Sequence, residues 1–455
     1  MSTTSPRHGC LRAAASAILS LLMVGVAGAP AHATSIREQQ WFLDAMKADQ
    51  MWQISTGKGI TVAVIDTGVD PDNPDLRGRV LDGKDFAPSS RAGDEHTDYD
   101  GHGTGMAGLI AGTGALEGGN GAFGLAPSAD ILPVRMPDAD DVSPFEVSAY
   151  FSKGIRYAVD SKAQIINVSM SGGISSPELI ETVRYAVDKG SLVFASMGND
   201  AETTRSVNPL AATPGVVAVG AVGRDLRRAP MSQYGPEVDI SAPGVDMVHA
   251  CGGKTGLCKT SGTSDATAIA SASAALIWSK HPNWTNNQVL RVMLNTIGAP
   301  TDGAKRNDSI GYGIVRPRIA LQKPGDPGPA DKYPLPDLEA AVASASPSPE
   351  PSATDAADRP ARDGNTEKAA GKSEDGTLVW VVLGAAAVAV LGGAMGALTI
   401  TRRRRVQQEA GNPPAPHHTP GGQPPYAAPQ HPAPPYRPPH SQSSSVPPPQ
   451  GPGHG

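Results

Sequence analysis

Cysteine is scarce in this chain, at three in 455 residues, and one of the three, Cys10, lies in a segment marked below for removal. Cys251 and Cys258 remain, in CGGKTGLC, with glycines between them that let the backbone fold back. A metal site would want more Cys or His close by. In an exported protein the pair reads as a disulfide, with two free buried thiols as the other reading. Positive charge is also lacking: the net charge is -6, which argues against a nucleic-acid surface. No metal and no cofactor are implied.

Two stretches lack charge altogether. After Arg7 and Arg12, residues 13–28 are apolar, and Ala31-His32-Ala33 follows. This is a signal-peptide pattern over residues 1–33, cleaved after Ala33; a retained anchor is the alternative. Leu378 to Ile400 carries no charge and is long enough to cross a hydrocarbon core of about 30 Å. Arg402 to Arg405 follow at once, and such clusters stay cytoplasmic, so the preceding domain is expected outside the cell membrane and the tail inside. Residues 323–376, rich in Pro, Ala and Ser, have too few apolar side chains to bury and predict an extended, solvated stalk. Gly392 and Gly396 have the spacing of a helix-pairing motif. The Pro/His-rich tail, residues 401–455, reads as polyproline-like chain that could dock a cytoplasmic partner.

Residues 34–322 are left, enough for one large domain. GITVAVID, ADILPVRM, AQIINVSM, GSLVFASM and GVVAVGAV are short, β-branched runs flanked by Gly, Asp or Ser, as buried parallel strands are. PFEVSAYFSKGIRYAVDSK and SPELIETVRYAVDKG have helical spacing and Ser caps. Strands alternating with helices predict an α/β domain, a mostly parallel sheet with helices on both faces, to which the C-terminal transmembrane helix is added. Ligands bind beyond the carboxyl ends of such strands. Three polar residues stand there: Asp66 in VAVIDTGVD, His102 in DGHGTGMAGLIAG and Asn199 in FASMGND. Ser264, in SGTSDATAIASA, opens a helix of small residues, where an isolated Ser is ordinarily an N-cap.

Taken together, Asp66, His102, Asn199 and Ser264, in that order and with those neighbours, resemble the subtilisin-like serine proteases, whose triad runs Asp, His, Ser along the chain. The likeness runs from about Gln40 to Leu321 and includes SQYGPEVDISAPG and GYGIVRPRIAL. It implies Ser264 as nucleophile, His102 as general base and acid, Asp66 as the group that orients His102, and Asn199 with the Ser264 N–H as oxyanion donors. Ser169, Met170 and Ser171 align with the strand that pairs with substrate backbone; Ser171 stands where a glycine is usual. After the serine, Asp265-Ala266-Thr267-Ala268-Ile269 replaces the usual Met-Ala-Thr-Pro-His. Asp265 is expected to be a solvated first-turn carboxylate, with proximity to His102 as the alternative.

Within that family, the signal peptide, QWFLDAMKADQMWQISTGKGITVAVIDTGV, the proline-rich stalk and the single C-terminal span look like the mycosins, membrane-anchored proteases of type VII secretion. That likeness implies peptide or protein substrates and the secretion complex as a partner. A structural role in that complex, or general degradation at the surface, are the other readings. Residues 34–59 are too few to fold alone as an inhibitory pro-domain and are expected to pack along the domain.

Overall fold

Five stretches rich in Val, Ile and Ala place their side chains alternately on two sides of one sheet. In the computed structural model, which describes residues 35–138, 141–252 and 255–345, these are β1 (Thr61–Asp66), β3 (Asp130–Arg135), β4 (Ile165–Val168), β5 (Leu192–Ser196) and β6 (Val216–Val222). Two further strands complete the sheet: a two-residue edge strand β2 (Lys84–Asp85) and β7 (Ile240–Pro243). Among the described residues the order is β2-β3-β1-β4-β5-β6-β7, all parallel. Val62 and Val64 of β1 join one core, and Ala63 and Ile65 the other. Period-2 alternation with both sets apolar requires helices on both faces.

On one face lie α5 (Pro144–Asp160) and α6 (Pro177–Asp188), which contribute Phe151, Ile155 and Val183 to the second core. Both begin on a serine followed by proline: Ser143 forms a reciprocal capping box with Glu146, and the Ser176 hydroxyl accepts from Leu179 N. The other face holds α4 (His102–Ala111), α7 (Thr263–Lys280) and α8 (Asn286–Asn295). Every residue of α7 from Thr263 to Trp278 is buried. A helix with small and apolar residues all round belongs in an interior. An antiparallel hairpin, β8 (Met247–Ala250) and β9 (Leu257–Thr260), precedes it, and the Cys251–Cys258 disulfide joins its two arms.

The N-terminal segment forms α1 (Ile36–Gln39), α2 (Trp41–Met46) and α3 (Ala48–Trp52) and packs into the first core through Phe42, Leu43 and Met51. Gln40 is fully buried; its side chain donates to the carbonyls of Phe123 and Val248 and accepts from Phe123 N.

At the other end the structure corrects the sequence reading. The solvated stalk expected from Lys323 does not begin there. After α9 (Pro317–Gln322), residues 323–335 turn back over the domain and lead into α10 (Pro336–Ala345). Leu335 is buried, Tyr333 Oη donates to the Gly215 carbonyl, Asp337 accepts from Gly215 N, and Arg291 donates to the carbonyls of Pro327 and Pro329. A segment with few apolar residues is held by backbone carbonyls rather than by area, which composition does not register. Among the described residues no helix is long and apolar enough to cross a membrane; the expected signal peptide, the 378–400 span and the tail lie outside them.

Candidate active site

The strand order reverses at β1, which has β3 on one side and β4 on the other, and the polar residues gather at that crevice, beyond the carboxyl ends of the strands. Asp66 is the last residue of β1 and fully buried. Its Oδ1 lies 2.7 Å from Nδ1 of His102, the first residue of α4, and also accepts from Thr67 N. Gly103 follows His102 because a Cβ there would sit 2.1 Å from the Gly68 carbonyl oxygen.

Asp98 builds the approach to this helix. It accepts from Gly101 N and Thr104 N, and from the Thr67 hydroxyl, which in turn accepts from Gly103 N. Neither Asp98 nor Thr67 carried a signal in the sequence beyond proximity to the Asp and His. The negative charge of Asp66 above all, against the opposing effect of burial, pushes the His102 imidazole up to about 9; the Asp66 hydrogen bond and the more distant Asp265 and Asp100 add to it.

Ser264 is the second residue of α7, not its cap; Gly262 holds that position in extended backbone. The Ser264 N–H therefore has no carbonyl one turn back within the helix. Its hydroxyl donates to the Ser169 carbonyl at 2.8 Å rather than to His102. The backbone of Ser264 is fixed in the other direction too: Ser169 Oγ donates to its carbonyl and accepts from Asn167 Nδ2, while Ser271 donates to Asn167 Oδ1.

Asn199 is exposed, three residues past β5. Its Oδ1 accepts from Thr263 N at 2.7 Å and from the Thr263 hydroxyl. A backbone N–H can only donate, so the amide oxygen must face it and the NH2 group is turned away, free to donate elsewhere. Thr263 thus orients the Asn199 amide.

Ser169, Met170 and Ser171 lie past the end of β4, not within a strand. The Ser169 side chain is buried against Ser264, which leaves its carbonyl as the group that addresses the crevice. Ser171 is exposed and lines two hollows. One, of about 490 Å³, is walled by Gly172, Gly173, Asn199, Asp200 and Asn208; the other, narrower, by Met136, Val147, Tyr150, Phe151 and Met170. Asn208, absent from the sequence reading, donates to the carbonyls of Met170 and Ser196 and so ties the two walls together.

Asp265 departs from expectation. It is 2% exposed, not solvated. Its Oδ1 is hydrogen-bonded by the Thr260 hydroxyl, which also lies 2.7 Å from Nε2 of the buried His249; His249 Nδ1 is 2.7 Å from the Ala250 carbonyl. Burial pushes the Asp265 carboxyl up to about 6, against the Thr260 hydrogen bond and the His102 charge. Burial likewise pushes His249 down to about 4, and the charge on His102 acts in the same direction.

Among the described residues no cluster of three or more His, Cys, Asp or Glu is arranged to hold a metal ion. A buried carboxylate bonded to an imidazole, a serine at a helix start and an oriented amide together can perform acyl transfer through a serine.

The Subtilase family model matches residues 57–313. Subtilisin NAT of Bacillus subtilis subsp. natto is 39% identical over 236 residues, covering 51% of this chain and 59% of its own length. Among solved structures, MycP1 from Mycobacterium smegmatis is similar over 68% of this chain and 90% of its own, at 26% identity and a TM-score of 0.55. The MycP3 protease from the type VII (ESX-3) secretion system is similar over 64% of this chain and 90% of its own, at 30% identity and a TM-score of 0.53. The chain therefore belongs to the subtilase family, with MycP1 and MycP3 among its structural neighbours.

Proposed function

We propose that this chain hydrolyses peptide bonds through an acyl-enzyme on Ser264 and does so at the outer face of the cell membrane, in association with type VII secretion. The observation that carries the chemistry is the Asp66–His102 pair at 2.7 Å, together with a serine in the first turn of α7 whose N–H has no carbonyl one turn back within the helix. The Ser264 hydroxyl turns from the Ser169 carbonyl toward His102, which takes its proton as the oxygen attacks the substrate carbonyl. Asp66 keeps its charge and stabilises the imidazolium. The oxyanion is held by the Asn199 NH2 group and the Ser264 N–H. His102 then protonates the leaving amine, and water repeats the sequence on the acyl-enzyme.

The Ser169, Met170 and Ser171 backbone is placed to receive an extended peptide, with side chains entering the hollows on either side of Ser171. The placement at the membrane rests on the apolar run from Leu378 to Ile400 and the arginines after it. The link to secretion rests on likeness to MycP1 and MycP3.

The test is Ser264→Ala in the full-length chain, since the hydroxyl is chemically required and small. Hydrolysis of a peptide library should vanish with thermal stability retained; equal rates for variant and wild type would overturn the reading. The same variant, expressed in place of the wild type, separates processing from scaffolding: secretion that survives without hydrolysis assigns the chain a structural part in the apparatus. Protease added to intact cells should release the domain and spare a tail epitope, and a cleaved tail would reverse the orientation.

A further inference from the structure

We propose that Asp265, Thr260 and His249 form a buried proton-holding unit whose charge sets the resting state of His102, with Asp265 as a positioning residue for the general base. The proposal rests on the protease reading above.

Proton counting carries it. His249 Nδ1 faces only the Ala250 carbonyl and so keeps its proton. Its Nε2 faces the Thr260 hydroxyl, which on its other side meets Asp265 Oδ1; Nε2 and Oδ1 are 3.8 Å apart. Thr260 has one hydrogen for two neighbours. If His249 is neutral and Asp265 protonated, the carboxyl donates to Thr260 and Thr260 to His249. If His249 is charged and Asp265 ionised, both bonds run the other way. Either arrangement satisfies both contacts with one shared proton. Neutral His249 beside ionised Asp265, the ordinary state of the free groups near neutrality, leaves one contact without a hydrogen. Burial disfavours the charged pair, and the order of the two groups, His249 near 4 and Asp265 near 6, selects the neutral one. The unit is uncharged within that range and gains a positive charge on His249 below it. Above it, the unit carries one negative charge and has lost a hydrogen bond.

The unit is built against the helix that bears His102. Gly105 of α4 has no side chain because a Cβ would lie 2.7 Å from His249 Cε1, and Gly252 of the hairpin turn approaches Gly101, the residue before His102. The charged groups that face His102 are Asp66 from β1, Asp100 from the loop before α4 and Asp265 from α7; those that face the unit are His102 and its own two members. A negative charge on Asp265 favours the imidazolium. It therefore holds the base protonated to higher pH and, for the same reason, stabilises the imidazolium formed during attack.

Asp265→Asn is the diagnostic variant, because its amide donates to Thr260 as the protonated acid does and keeps every bond. The His102 midpoint should fall by about one unit. Profiles of kcat/KM against pH for the full-length chain should then cross: the variant up to about tenfold faster on the acid limb and slower on the alkaline plateau. High salt should leave the shift in place, since a buried charge is poorly screened. Thr260→Val, which removes the hydrogen bond to the ionised form, should move the midpoint the same way by less, and Thr260→Ser should restore it. Superimposable profiles, or a variant slower at every pH with no shift in midpoint, would overturn the proposal. NMR titration of the His102 ring in Ser264→Ala and Ser264→Ala/Asp265→Asn reads the midpoint without catalysis. If no chain hydrolyses peptide, the protease reading fails, while equal or different NMR midpoints still reject or uphold the coupling.

Discussion

Gly103 and Asn199 show how single residues shape the candidate site. A Cβ at Gly103 would press against backbone, the Gly68 carbonyl, which no side-chain rotation relieves. Gly103→Ala should cost at least about 2 kcal/mol in denaturant unfolding and displace His102 from Asp66, so that activity falls more than stability. Asn199 is different, because its amide is exposed and its fold contribution is confined to accepting from Thr263 at the start of α7. Asn199→Ala leaves the Thr263 N–H without its acceptor and should cost about 1 kcal/mol, while kcat should fall about 10²–10³-fold, the magnitude established for such a donor in a subtilisin. His102 adds a pH signature. Its folded-state pKa, near 9, exceeds the ordinary 6.5, so the stability it contributes is full below about 6.5 and lost as pH rises through about 9. In the proposed mechanism hydrolysis needs the neutral imidazole and should rise over that same interval. Unfolding curves across it, for wild type and His102→Gln, check the sign: the variant should lack this decline.

The element with most influence on the site beyond the sheet is the β8–β9 hairpin. It presents Gly252 to Gly101, His249 to α4 and Thr260 to Asp265, and Asn73 fastens it by donating to the carbonyls of Cys251 and Gly256. The disulfide closes a loop of sequence separation 7, which by chain entropy is worth about 2.5 kcal/mol. Paired Cys251→Ser and Cys258→Ser substitutions should lower stability by about that amount. They should also reduce kcat, because the hairpin braces the start of α4. Alkylation followed by mass spectrometry of unreduced protein should find neither thiol free. The pairing was legible in the sequence from two nearby cysteines with glycines between them. The hairpin's contacts were not, since Gly101 and Gly252 are 151 positions apart and a glycine gives no clue to what it approaches.

For the molecule as a whole, the segment after α9 matters because it is part of the folded unit. A chain ending at Leu321 would expose the surface under Leu335 and strip the partners from Gly215 and Arg291. Burial of one Leu and a few net hydrogen bonds amount to about 3–5 kcal/mol. Truncation after Leu321 should therefore lower the thermal midpoint, whereas truncation after Ala345 should leave it close to that of the full chain. Equal midpoints for the two truncations would show the segment to be dispensable.

Local pattern was enough for the five central strands, the two helices on one face and the capping serines. Alternation, β-branching and caps are properties of neighbouring residues, and a sheet buried on both faces writes them strongly. The order Asp66, His102, Asn199, Ser264 was legible for a related reason, because each stands where a strand ends or a helix starts. Tertiary structure alone decided the rest. Strand β7 reads Ile-Ser-Ala-Pro, with a single β-branched apolar residue and a proline, so it shows no apolar run. The packing of residues 323–345 depends on distant carbonyls. Asp265 was the instructive failure: a carboxylate in the first turn of a helix is ordinarily solvated, and only the hairpin's Thr260 and His249, brought over it by the fold, make a buried one tolerable.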